Sequence, residues 1–186
     1  MVAYTTFVND AAAFTGVYAP SDIITLTVAG LPIPLTKFSL RISLNTDTGG
    51  MVHQSLNATV ANADGRLDAL TAAIGEALVL ANTVAMQDGS TVFRSLAENL
   101  TLSSVSGREI DPLLFLTAGG VVSPRSWQGE LVGLIYVRYS SGKRLVRVAG
   151  ITEIRPGDTY TAQGIKSYAK TVTIYGSISG TYSEIS

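Results

Sequence analysis

Turn-forming pairs cut this chain into short segments, and that punctuation limits the fold more than any other feature. Gly49-Gly50, Asp64-Gly65, Asp88-Gly89, Gly119-Gly120, Ser141-Gly142 and Pro156-Gly157 each offer a positive φ or a proline-fixed angle that ends a strand. The runs between them are rich in Val, Ile, Thr, Leu and Tyr. Over 22–29, Ile24, Leu26 and Val28 alternate with Ile23, Thr25 and Thr27; over 38–44, Phe38, Leu40, Ile42 and Leu44 alternate with Ser39, Arg41 and Ser43. A period of two predicts half-buried strands. The run 54–60 repeats the pattern with Leu56, Ala58 and Val60, and the loop 46–50 joins it to the preceding strand as a hairpin. Further strands are expected over 77–86, 90–96 and 99–104, and a hairpin over 130–139 and 144–151 turning at Ser141-Gly142. The tail 166–185 reads as β structure or an extended arm.

One segment breaks the alternation. After Asp64, an N-cap residue, Leu67, Leu70, Ile74 and Leu78 recur at three- and four-residue spacing, which predicts a short helix over 66–74 with Gly75 near its end. The expected fold is therefore mainly β, an antiparallel β-sandwich or barrel with one short helix and long partner-binding loops or arms. A single domain over residues 1–186 is expected, with arms at 1–20 and 170–186 and an inserted apolar loop at 108–127.

Composition narrows the function. Charged residues make up only 15% of the 186 residues and hydrophobic residues 46%, so neutral polar and apolar groups must cover much of the surface, as on proteins whose faces meet neighbours. Thirteen basic and fourteen acidic residues give a formal net charge of −1, which provides no field to gather nucleic acid or an anionic membrane. Without cysteine there is neither a disulfide framework nor a thiolate metal site. The N-terminus lacks the basic and apolar regions of a signal peptide, and no apolar run reaches the ~20 residues of a membrane helix.

The chemistry-bearing residues are sparse. His53 is the only histidine and has no acidic neighbour in sequence, so a catalytic triad or a His-rich metal site has little to build on. Phosphate loops and the G-x-S-x-G elbow are absent. Glu98, Glu109, Asp111, Glu130, Glu153 and Asp158 are the acids from which a glycosidase-type pair would have to come, but several adjoin Gly or Pro, where a carboxylate shapes a turn. Asn45-Thr46-Asp47-Thr48 is a poor calcium loop, and the sequons at Asn57 and Asn99 matter only in a secretory pathway. No cofactor and no metal is expected. Trp127, the sole tryptophan, is a candidate sugar platform if other aromatics join it.

The order of segments carries a resemblance. The strand pair over 38–60 with Ser55-Leu56-Asn57-Ala58-Thr59-Val60, the short helix after it, Leu96-Ala97-Glu98-Asn99-Leu100-Thr101-Leu102, and the turn Arg155-Pro156-Gly157-Asp158-Thr159-Tyr160 resemble small all-β tail-tip or baseplate proteins of long-tailed bacteriophages. The resemblance covers the middle and end of the chain. It implies a non-enzymatic virion protein, assembled in the host cytoplasm as a ring, whose partners are copies of itself and the tail tube, hub or fibre proteins. Leu113, Leu114, Phe115, Leu116, Val121, Val122 and Trp127 are then the expected partner-binding residues. A head-tail connector, a capsid decoration protein and a carbohydrate-binding adhesin module are the alternatives.

Overall fold

The computed structural model describes residues 7–9, 22–47, 50–63, 65, 67–85, 91–107, 112–177 and 180–186. In chain order the strands are β1 (Phe7–Asn9), β2 (Asp22–Val28), β3 (Leu31–Ile33), β4 (Leu35–Asn45), β5 (Met51–Ala61), β6 (Ala77–Ala85), β7 (Thr91–Ser95) and β8 (Leu100–Ser106). They continue as β9 (Leu113–Val122), β10 (Gln128–Glu130), β11 (Leu134–Ser140), β12 (Lys143–Ala149), β13 (Thr159–Ala162), β14 (Ile165–Tyr168), β15 (Thr171–Ser177) and β16 (Gly180–Ile185).

Thirteen of these strands form one sheet in the order β1-β2-β6-β8-β9-β5-β4-β15-β16-β12-β11, with β3 attached to β2 and β7 to β6. Laid flat, eleven strands in a row span about 50 Å and leave one apolar face in water. The sheet instead curls around its own inner face. Ile24 on β2, Leu40 on β4, Val146 on β12 and Ile185 on β16 are fully buried members of a single hydrophobic cluster, and β1 approaches β16 from the far side of the strand order. The architecture is mainly antiparallel β, of sandwich or barrel type. A second sheet, β10-β13-β14, lies beside the β11–β12 hairpin: Arg144 of β12 donates to Ala162 O at 2.7 Å and to the Ser167 hydroxyl.

Alternation sets the inner face. Leu40 sits between Leu56 and Ile174, and Ile42 between Gln54 and Val172. A bulge at Thr36 lets Leu35 and Phe38, three residues apart, both point inward. Three two-residue turns, Ala29-Gly30, Ser141-Gly142 and Gln163-Gly164, have positive φ at both positions. That is the type I′ geometry whose twist matches a hairpin. Gly176 is required for a different reason: the Phe38 ring occupies the space a Cβ there would need.

Four expectations change. Residues 170–186 form no arm: β15 lies between β4 and β16 in the interior of the sheet, with Val172, Ile174 and Ile185 fully buried. Half of the expected loop 108–127 is strand β9, paired to β5 and β8. Gly119-Gly120 ends nothing; a Cβ on Gly120 would stand 2.5 Å from the Asn99 carbonyl oxygen, so glycine lets the Asn99 turn pass over the strand. The helix is a 3-10 turn over Asp68–Ala73, because Gly75 at positive φ stops it and Leu78 belongs to β6. Its expected cap, Asp64, lies outside the described residues, and Leu67 N donates instead to Asn62 Oδ1 at 2.9 Å. Of the N-terminal arm, Phe7–Asn9 pairs with β2 and the rest of 1–20 lies outside the described residues.

Because β9 presents Leu114 to the core and Leu113 to the outside, the two neighbours separate strand from loop. Leu114→Ala is expected to cost about 2–5 kcal/mol in urea unfolding and Leu113→Ala about 0.5 kcal/mol or less; equal effects would contradict the pairing.

Candidate functional site

The outward-facing side chains of the middle strands form rows across the sheet. One row runs Thr117, Asn57, Ser39, Tyr175, Tyr182 across β9, β5, β4, β15 and β16. The adjacent row runs Phe115, Thr59, Lys37, Ser177. Small hydroxyl and amide side chains make the floor between Phe115 on one side and the tyrosines on the other, and an open groove of about 510 Å³ results.

The tyrosine wall is held in place. Tyr175 and Tyr182 stack with centroids 4.7 Å apart and planes 22° from parallel. The Arg147 guanidinium lies 4.4 Å from the Tyr182 centroid and 5.0 Å from that of Tyr136, and it pairs with Glu184. A cation over an aromatic face and a stacked ring pair each contribute of order 1 kcal/mol, which fixes rings that would otherwise rotate freely on a sheet surface. The hydrogen bond that Arg147 donates to the Glu184 carboxylate holds the Arg147 pKa above its usual value. Burial, followed by the Glu184 charge, raises that of the Tyr175 phenol.

A second, smaller cleft of about 220 Å³ lies where the 95–98 segment and Pro156 close one end of the core. Gln54 points inward there, yet its amide is satisfied: Nε2 donates to Glu98 O at 2.6 Å and Oε1 accepts from Glu98 N at 3.2 Å. Behind it, fully buried Asp158 accepts from Arg125 Nη2 at 2.9 Å and from Arg155 N at 2.7 Å through Oδ2. Arg155 donates to the carbonyls of Thr152 and Ile154 at 2.9 and 3.2 Å. Its guanidinium, desolvated and beside Arg125, has its pKa pushed down to about 10. Arg94 and Arg125 both reach Glu153, the first to its carboxylate and the second to its carbonyl. The cluster therefore ties the 152–158 segment to β7 and to the chain before β10.

Of the acids singled out in the sequence, Asp158 and Glu153 each pair with an arginine. Asp158 has no exposed surface and is ion-paired, while Glu153 sits on the outside with Arg94; Glu109 and Asp111 lie outside the described residues. No cluster of three or more His, Asp or Glu side chains suited to a metal occurs among the described residues. His53 lies on β5 between Ser43 and Val121. Of the expected partner-binding residues, Leu114 and Leu116 belong to the core and Val122 is half-buried, whereas Leu113, Phe115, Val121 and Trp127 are exposed. The Trp127 ring covers Gly129, and among the described residues no other ring stacks on it. The aromatic cluster found among the described residues is the Tyr136–Arg147–Tyr182–Tyr175 ladder, away from Trp127. Its sequence signal was the alternation of Tyr175 with Val172 and Ile174, which marks an outward side chain but not its cross-strand neighbours.

No protein-family model matches the sequence, and no curated protein matches it either.

Two measurements check these sites. Asp158→Asn is expected to lower stability by about 1–3 kcal/mol, since Arg125 and the Arg155 amide lose a charged acceptor. The raised Tyr175 pKa stabilises the fold fully below about pH 10 and is lost as pH climbs through the folded value. Tyr175→Phe should therefore lose less stability than the parent between neutral and strongly alkaline pH, measured by denaturant titration.

Proposed function

We propose that this chain is a structural subunit of a larger assembly and, following its resemblance to phage tail-tip proteins, that the assembly is a virion tail in which it forms a ring and contacts neighbouring tail proteins. The observation that supports this best is the free side of β11. Among the described residues this seven-residue strand pairs with β12 alone. It has no proline and one charged residue, Arg138, and it carries Ile135 (42% exposed) and Tyr139 (64%) next to Val132 (86%). Natural edge strands are normally blunted by proline, lysine or shortness, because open N–H and C=O groups recruit other chains. An edge that lacks these devices suits β-augmentation by a neighbouring subunit. The low charge content of the chain points the same way.

Light scattering after size-exclusion chromatography and electron microscopy of the purified protein test this reading. Oligomers, seen as rings, are expected for the parent chain, and an Ile135→Lys/Tyr139→Lys double variant should dissociate them while unfolding at the parent's denaturant midpoint. A parent chain that stays monomeric at high concentration and in its source particle would contradict it.

A further inference from the structure

The groove between Phe115 and Tyr175 has a composition that a merely solvated sheet face does not need. Outer faces of antiparallel sheets are usually dressed with long charged side chains, yet the floor here is Asn57, Thr117 and Ser39, with Lys37 the only charged group among the described residues that line the groove. These short groups leave room above the sheet and present neutral donors and acceptors at strand spacing. The wall is built from the far side. The Arg147–Glu184 ion pair anchors Tyr182, Tyr182 stacks on Tyr175, and both rings border the groove, with Tyr175 beside Ser39. A ring preorganised in this way offers its face to a ligand with little loss of side-chain freedom.

We propose that this groove is a saccharide-binding site that takes a hexopyranoside unit. A pyranose has one face of C–H groups, which packs on an aromatic ring, and a rim of hydroxyls, which needs neutral donors and acceptors. Tyr175 and Phe115 supply the first requirement, and Asn57 and Ser39 the second, the Thr117 hydroxyl beside them being bonded to those of Ser103 and Ser104 at 2.9 and 2.7 Å. The groove's volume of about 510 Å³ is in the range of small-ligand sites. A nucleotide finds one basic side chain, Lys37, among the described residues that line the groove, and an apolar peptide would leave the Asn57 amide unpaired on contact. The site is on the outer face of β9, β5, β4 and β15, not on β11, so it stands independently of the assembly reading.

The test is amide-resolved NMR titration of the full chain with glucose, galactose, mannose and N-acetylglucosamine methyl glycosides and with maltose, lactose and chitobiose, with cytidine and a proline-rich peptide as controls. At least one sugar is expected to shift the amides of Asn57, Thr117 and Tyr175 selectively. Tyr175→Ala should weaken that binding about tenfold. Asn57→Ala, an outward-facing change that leaves the core intact, should weaken it several-fold. The proposal is overturned if no sugar in the panel shifts these amides, if the shifts survive unchanged in both variants, or if cytidine or the peptide binds there in place of every sugar.

Discussion

A sheet of thirteen strands with one apolar face has to hide that face, and almost everything else in this molecule follows from how it does so. Curling the sheet around the Leu40, Leu56 and Ile174 cluster buries the inward half of each strand and commits the outward half to solvent or to partners. With fully buried Leu and Ile side chains each contributing roughly 1.5–3 kcal/mol, the inward set fixes the register. A slip of one residue would send Ile42 and Val172 outward and Arg41 and Thr173 into the core.

The ends of the curled sheet need different chemistry from its middle. At one end the core is closed by irregular chain, which brings backbone polar groups inside. The Gln54 amide satisfies the Glu98 backbone, and the Ser183 hydroxyl, fully buried, donates to Gly150 O at 2.8 Å and accepts from Thr152 N at 3.1 Å. Asp158 and its two arginines hold the last of these segments in place. Such a cluster costs desolvation, visible in the depressed pKa of Arg155, and that cost is offset where Asp158 Oδ2 meets Arg125 and the Arg155 amide and where the Arg155 guanidinium meets carbonyls, while Asp158 Oδ1 has no partner among the described residues. The polar groups of this end therefore maintain closure, while the two surfaces proposed for binding are the outer row of neutral side chains and the β11 edge, which among the described residues pairs with β12 alone.

Much of this was legible in the residues. The alternation of Phe38, Leu40 and Ile42 gave β4 its inner face, and Ser141-Gly142 marked the β11–β12 hairpin. The strand β9 was hidden because Gly119-Gly120 and the flanking prolines have the look of a loop, and only the passage of the Asn99 carbonyl over Gly120 explains why glycine is needed inside a strand. Ala29-Gly30 and Gln163-Gly164 lack the Asn or Asp that usually announces a type I′ turn. The groove was out of reach for a more basic reason. Asn57, Ser39 and Tyr175 meet through the pairing of β5, β4 and β15, a long-range register that no local pattern encodes.

The claim that the uncovered edge is an assembly surface is tested most directly by amide hydrogen exchange along Leu134–Ser140 as a function of protein concentration and in the assembled particle. Partner strands on β11 would slow exchange of its outward-facing N–H groups on assembly, while the paired amides of β15 remain protected throughout. Outward β11 amides that exchange at the same fast rate in every state would show that this edge faces water and that assembly, if it occurs, uses another surface.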